Sequence, residues 1–375
     1  LTERTPLNTD TSHITPTLTE PEMTPAGGVF ESRFSVTITH PDEDAEIRFT
    51  TDGSLPTKTS KLYTRSIPIR TNAKIRARAF KQGFQSSSPS HGVYIFKHFS
   101  TRNLDSNLPF VILQKQTTEL ISDKSYTPAQ IMIIPSEDGK SKWEVPDLIS
   151  SSAIKIRGSS SANRPKPSLS LELQDHLGND IDKQILGMPP ESDWVLWGPF
   201  QFDKALMRNP FIYEISRRVG RYAPRTRFVE VFITPPNKSL NFDDYFGVYA
   251  VIEKIKRDDE RVDIKRLRKE DNDGDAVTGG YLFKIDRVDP GDSGISAGGQ
   301  ILALVDPKEE DISREQKTYL RDYVNAFNES LSQNRFDEYI DVNSSVQHQM
   351  LNEFTKNPAE FRLSAYMYKP RNGKI

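Results

Sequence analysis

The chain contains no cysteine, which excludes disulfide frameworks, thiolate zinc sites and cysteine nucleophiles. It has no run of about eighteen apolar residues, so no membrane-spanning helix is expected. Its N-terminus lacks the basic and then apolar pattern of a signal peptide. A surplus of one charge is missing too: fifty Lys and Arg stand against fifty-two Asp and Glu, a net charge of -2. That balance gives no general attraction to nucleic acid or to an anionic membrane. The six His are scattered without paired metal spacing, and no Gly-x-Ser-x-Gly elbow supports a Ser-His-Asp hydrolase.

What remains is a chain of 375 residues, 35% hydrophobic and 27% charged. That is enough for two domains with a wet, loop-rich surface. It starts at Leu1 rather than Met, so it is read as cut from a longer precursor, with any export signal removed or outside the segment. Residues 1–25 are rich in Thr, Pro and Glu and read as an extended linker.

From Gly27 the texture changes. Phe34-Ser-Val-Thr-Ile38, Ala45-Glu-Ile-Arg-Phe-Thr50 and Lys74-Ile-Arg-Ala-Arg-Ala-Phe80 alternate apolar and polar residues, and Gly92-Val-Tyr-Ile-Phe96 adds a fourth β-rich run. Between them, Asp52 can cap its own turn, Gly53 permits positive φ and Pro56 fixes a bend. Even spacing and such turns predict an all-β sandwich of the immunoglobulin or fibronectin kind over residues 26–97. The pattern Ile47-Arg-Phe-Thr-Thr-Asp-Gly-Ser-Leu-Pro-Thr57, followed by Tyr63, Ile75-Arg-Ala-Arg-Ala-Phe80 and Gly83, resembles the chitobiase/β-hexosaminidase C-terminal-type domain. That resemblance implies an exported bacterial protein at the cell envelope or outside the cell, with polysaccharide as a partner of the sandwich. Tyr63 and Phe84 are the aromatics that could make such a contact, and packing is the other reading of both.

Past a linker at 98–106, Leu108-Pro-Phe-Val-Ile-Leu113 opens a second core, predicted to be α+β over 107–375. Ala153-Ile-Lys-Ile-Arg157 and Ser168-Leu-Ser-Leu-Glu-Leu173 read as a hairpin tipped by Gly158-Ser-Ser-Ser161. A Gly/Ser tip lets backbone N–H groups approach a phosphate, and Lys166 on the returning arm adds positive charge. Taken alone, such a tip usually only turns the chain. A helix is predicted from Asp203 to Gly220, with Leu206, Ile212, Ile215 and Val219 as its apolar stripe. Strands follow at 227–233, 245–253 and 280–286.

The ordered series Arg157-Gly158-Ser-Ser, Lys166, Leu186-Gly, Asp193-Trp194, Arg208-Asn209, Gly247-Val-Tyr249 with Glu253, and Gly279-Gly-Tyr-Leu282 is similar to the CotH (spore coat protein H) kinase family. The resemblance implies an atypical protein-kinase-like fold that transfers phosphate from ATP, with Mg or Mn, to surface or secreted proteins. By position it makes Gly158, Ser159, Ser160 and Lys166 phosphate-binding candidates and sets Glu253 at a hinge against adenine. Glu214 becomes an ion-pair partner for Lys166, with a solvated helix face as the alternative.

Two departures bear on activity. In many CotH-like sequences an Asp follows an Asn by two places, with Asn or Ser five residues later. Here Asn357-Pro-Ala-Glu-Phe-Arg-Leu-Ser364 puts Ala359 at the acid position and Ser364 at the metal-side position. A methyl cannot accept a proton, and Glu360 is turned by about 100 degrees on a helix, which makes it a weak substitute. The family also continues beyond Ile375 into a Trp-Asp-rich metal-binding segment, so the kinase-like domain is expected to be truncated. No catalytic acid is therefore assigned, and weak ATP binding without measurable transfer is expected. The competing reading is a non-catalytic envelope protein that keeps the fold for binding. Asp271-Asn-Asp-Gly-Asp275 resembles a calcium loop but has its Gly fourth and no Glu at position twelve, so it reads as a solvated turn.

Overall fold

The computed structural model describes residues 15–158, 161–198, 203–288, 293–357 and 362–375. It is mostly strand, with few helices. The alternating N-terminal segments form two facing sheets. Glu22–Thr24, Phe34–Thr39 and Ile67–Ile69 make one, and Gly28–Phe30, Ser90–Phe96, Ala73–Phe80, Glu46–Thr50 and Lys61–Leu62 make the other. Alternation puts Ile75 and Ala77 inward against Val36, Ile38 and Tyr94, while Lys74, Arg76 and Arg78 stand on the opposite face. The turn at 51–57 behaves as its residues dictate. Asp52 Oδ1 accepts from Ser54 N at 2.9 Å and Ser54 Oγ at 2.6 Å, and Gly53 takes φ +82.

A closed seven-stranded barrel follows, in the order Thr127–Ile134, Leu148–Arg157, Ser168–Gln174, Asp193–Trp197, Tyr245–Glu253, Thr226–Thr234 and Phe110–Lys115. All its pairs are antiparallel except the closing one, where 110–114 run parallel to 230–234. Inward residues such as Leu113, Ile131, Ile154, Leu171, Trp194 and Val231 fill the barrel. It is therefore a packed core with no pore, as expected for so few strands.

The sandwich lies against the outside of the barrel. Val29, Val93 and Ile95 from its outer face share one apolar cluster with Phe110, Ile112, Met132, Trp143 and Phe232. The connection at 98–106 is pinned to this seam: Thr101 is buried, and its Oγ1 donates to Leu240 O at 2.8 Å.

Beyond the barrel, Ile295–Ala297, Gln300–Asp306, Tyr281–Ile285 and Ala365–Lys369 form a four-stranded sheet. It packs on helix α2, Arg314–Ser332, whose start is fixed by a reciprocal cap between Ser313 and Gln316. Helix α3 spans Val342–Thr355, with Asp341 as its cap. Helix α1 covers Arg208–Arg218 and is shorter than the predicted 203–220. The physical reason is local. Asp203, 3% exposed, accepts from Ala205 N and Arg208 N, and Leu206 sits at φ +60, so the chain enters the helix only after this capped bend. Among the described residues no helix is long and apolar enough to cross a membrane.

Candidate functional site

The hairpin predicted around Gly158 forms, with Arg157 opposite Ser168 as its last rung. Gly158 adopts φ +101, and a Cβ built there would meet Ser161 Oγ at 2.2 Å. Only glycine lets that hydroxyl fold over the turn. Ser159 and Ser160 lie outside the described residues.

Lys166 comes back from this turn to the end of the barrel. Its Nζ donates to Val248 O and lies 4.7 Å from the centre of the Tyr249 ring. Tyr249 in turn donates its hydroxyl hydrogen to Pro167 O at 3.0 Å, which ties ring and lysine arm together. Two glycines make room for the arrangement. A Cβ on Gly198 would sit 2.6 Å from Tyr249 Cε1 and 3.2 Å from Lys166 Cγ, and Gly247, at φ +96, faces Lys166 Nζ. Burial pushes the Lys166 ammonium below its ordinary pKa, and no carboxylate among the described residues offsets the shift. An ammonium has three N–H donors and one is spent on Val248, so the site presents positive charge and free donors beside a glycine turn.

The partner expected for Lys166, Glu214, and the hinge acid, Glu253, are both engaged elsewhere. Glu214 is held on its own helix by Arg217 at 2.6 Å and Arg218 at 2.8 Å, the two residues that helix geometry sets one turn away. The expected Lys166–Glu214 pair therefore does not form. Glu253 ends the strand whose Val248 binds Lys166. Five residues of extended chain, about 16 Å, separate the two. Its carboxylate is fully enclosed, accepting from Arg225 N at 2.7 Å and Arg225 Nη1 at 2.9 Å, with Arg261 at 3.5 Å. The Glu253 side chain therefore faces Arg225 and Arg261 and does not reach Lys166. Nearby, Lys256 bridges Glu191 at 2.9 Å and Asp193 at 2.5 Å, and its position completes a buried ion network around the Glu253 end of the barrel.

Ser364, the expected metal-side residue, sits at φ +58, and its hydroxyl donates to Asp286 Oδ2 at 3.0 Å. Asp286 follows the Tyr281–Ile285 strand, and Lys284 lies 3.7 Å from it. Sequence reasoning missed this acid. Its only signal is a carboxylate at the end of an apolar run, Tyr281-Leu-Phe-Lys-Ile-Asp286. Ala359 and Glu360 lie outside the described residues. Tyr213 on α1 is raised above its ordinary pKa first by burial and further by Tyr366, while Arg157 and a hydrogen bond with Asn209 act against the rise.

Among the described residues no three His, Asp or Glu side chains gather as a metal cage. Magnesium needs only one or two carboxylates when phosphate oxygens supply the rest, and Asp286 fits that requirement, with Ser364 orienting it. The Asp271 carboxylate is taken by Arg268 N at 2.9 Å and Arg371 at 2.5 Å, so the 271–275 segment is a tied turn. Tyr63 packs edge-on against Phe49, and its hydroxyl accepts from Ile38 N at 3.0 Å. Phe84 is partly exposed under Lys81.

A family model described as CotH kinase protein matches residues 154–375, more than half of the chain. The chain belongs to the CotH family. A second model, for the chitobiase/beta-hexosaminidase C-terminal domain, matches residues 25–91. No curated protein is similar enough to count as a match.

Proposed function

We propose that the protein is an exported bacterial member of the CotH family that binds ATP by its phosphates at Lys166, on an atypical kinase-like fold. The observation that carries this reading is the half-buried Lys166 ammonium beside the Gly158 turn, with no carboxylate among the described residues to neutralise it. An isolated cation costs less when an anion joins it, and a triphosphate meets that need. Lys166 would hold phosphate oxygens, Gly158 would let the backbone approach them, and Asp286 with Ser364 would take Mg or Mn. A bound metal would neutralise charge on the phosphates. Glu253, sealed by Arg225 and Arg261, fixes the strand end and leaves any adenine contact there to backbone groups.

The acceptor is a surface or secreted protein, and transfer to it is impaired. Ala359 occupies the position of the acid that deprotonates the acceptor hydroxyl, a loss of roughly 100- to 10,000-fold in general-base terms. The same alanine favours a second reading, a non-catalytic envelope protein that keeps the site only to bind. Radiolabelled phosphate transfer with Mg and with Mn, comparing the native chain with Ala359→Asp, tests the first. Transfer gained only in the substituted chain supports it. Robust transfer by the native chain refutes the impairment, and binding of ATP without transfer in either chain favours the second reading.

A further inference from the structure

The seam between sandwich and barrel contains a second cationic site, far in sequence from Lys166. The face of the sandwich that alternation turns away from its core carries Lys74 and Arg76, with His91 opposite Arg76 on the neighbouring strand. Beneath them, four outward residues of the barrel stand in register across four strands: Thr234 opposite Gln114, Gln114 opposite Gln130, and Gln130 opposite Ser151. A pocket of about 90 Å³ opens between the two layers, lined by Lys74, Arg76, His91, Gln116, Gln130 and Ser151, with the 52–53 turn at its rim.

Two independent features point to a ligand. First, the pocket is polar on both walls yet unsatisfied. Gln130 is 7% exposed, and one of its amide atoms has no partner, while the other bonds Ser151 Oγ at 3.2 Å. A half-turn of that amide keeps the Ser151 bond, with the hydroxyl now donating, and replaces the unpartnered oxygen with an N–H donor. Second, Lys74 and Arg76 outnumber the one carboxylate among the pocket's described lining residues, Asp52, whose Oδ1 accepts from Ser54. Burial lowers Lys74, Arg76 lowers it further, and burial lowers Arg76; no carboxylate among the described residues opposes either shift. Lys183 and His176 on the barrel side add positive field at His91.

We propose that this pocket binds a phosphate group, either free phosphate or a phosphate monoester, between Lys74 and Arg76 on one wall and Gln130 and Ser151 on the other. Arg76 offers a forked pair of N–H donors matched to two phosphate oxygens, and Lys74 supplies a point charge. Gln130 adds a neutral N–H donor that would otherwise stay buried without a partner, and Ser151 holds its amide in place. The ligand would also hold the sandwich on the barrel, since its contacts come from both.

Thermal unfolding in the Lys166→Met background, which removes the proposed nucleotide site, isolates the pocket. Inorganic phosphate and O-phosphoserine, each at 10 mM (on the order of twenty times the expected Kd), are compared with sodium chloride at equal ionic strength. The expected result is a rise of about 2 to 4 °C for at least one phosphate species over chloride. Arg76→Gln should abolish that rise while leaving the melting temperature without phosphate unchanged or higher, because it removes a repulsive, desolvated charge. A purely structural role for Arg76 would instead lower the melting temperature without phosphate. The larger shift with O-phosphoserine assigns the pocket to a monoester, and the larger shift with inorganic phosphate assigns it to the free ion. Should Arg76→Gln not fold, movement of the His91 imidazole NMR signals on phosphate titration locates the ligand. Equal shifts with phosphate and chloride, a full shift retained in Arg76→Gln, or unmoved His91 signals would overturn the proposal.

Discussion

Ser364 donates its hydroxyl hydrogen to Asp286 Oδ2 across 3.0 Å, joining two strands that are 78 residues apart in sequence. Asp286 is the carboxylate proposed to take the metal. Asp286→Asn keeps the size and the Ser364 contact but removes the charge. It should weaken nucleotide binding in Mg by at least about fivefold and leave binding in EDTA unchanged. Calorimetric titration in both buffers reads this directly. An equal loss in EDTA would mean that Asp286 acts on folding and not on a metal.

Glu253 and Arg261 make a different kind of prediction, about stability. Both side chains are almost fully enclosed, and removal of the carboxylate takes from Arg225 its nearest acid and from Arg261 one of the acids around it. Glu253→Ala should cost about 3 to 5 kcal/mol in urea unfolding, as for one half of a broken buried pair. Glu253→Gln should cost less and leave nucleotide affinity unchanged, since its side chain faces arginines rather than the Lys166 cleft. Loss of nucleotide binding in a folded Glu253→Gln chain would contradict that placement.

Lys369 gives a pH dependence. It is 2% exposed, donates to Thr278 O at 2.7 Å and Gly373 O at 2.6 Å, and lies 4.5 Å from the Tyr323 ring. Burial pushes its pKa down to about 8. The folded-state value is below the unfolded one, so the folded chain sheds this proton first and stability rises as pH climbs from about 8 toward about 10. The gain is at most about 3 kcal/mol for a shift of this size. Buried tyrosines act with the opposite sign above about pH 10, so the readout is the difference between the native chain and Lys369→Met between pH 8 and 9.5. Parallel stability curves would contradict the prediction.

The seam predicts that the barrel does not tolerate loss of the sandwich. A chain beginning at residue 107 would expose Phe110, Ile112 and Met132, which are now covered by Val29, Val93 and Ile95. It should melt lower than the full chain and bind a hydrophobic dye, as freshly exposed apolar clusters do. An unchanged melting temperature without dye binding would show that a boundary at 98–106 separates independent units.

The sandwich was legible because polar residues alternate with its core positions, so Phe34–Thr39 and Ala73–Phe80 show a clear period of two, and Asp52 and Gly53 carry their turn chemistry locally. Barrel closure was not. It depends on parallel pairing of 110–114 with 230–234, strands buried on both sides, whose apolar runs carry no sign of their partner. Helix α2 went unpredicted although Ser313 and Gln316 carry a capping signature, because its stripe of Leu320 and Val324 is thin. Lys166 could be named from the order of motifs around it. Its true contacts, Val248 O and the Tyr249 ring, depend on a strand 82 residues away. The Glu214 pairing failed for the converse reason: local i+3 and i+4 arginines win over a distant lysine.

The central claim is that Lys166 receives phosphate. Its most direct test is equilibrium binding of ATP in Mg to the native chain and to Lys166→Met, with melting curves to show that both are folded. The account predicts weak but saturable binding by the native chain and at least a tenfold loss in Lys166→Met, a difference of about 1.4 kcal/mol or more. Equal affinity in the two folded chains, or no saturable binding by the native one, would contradict it.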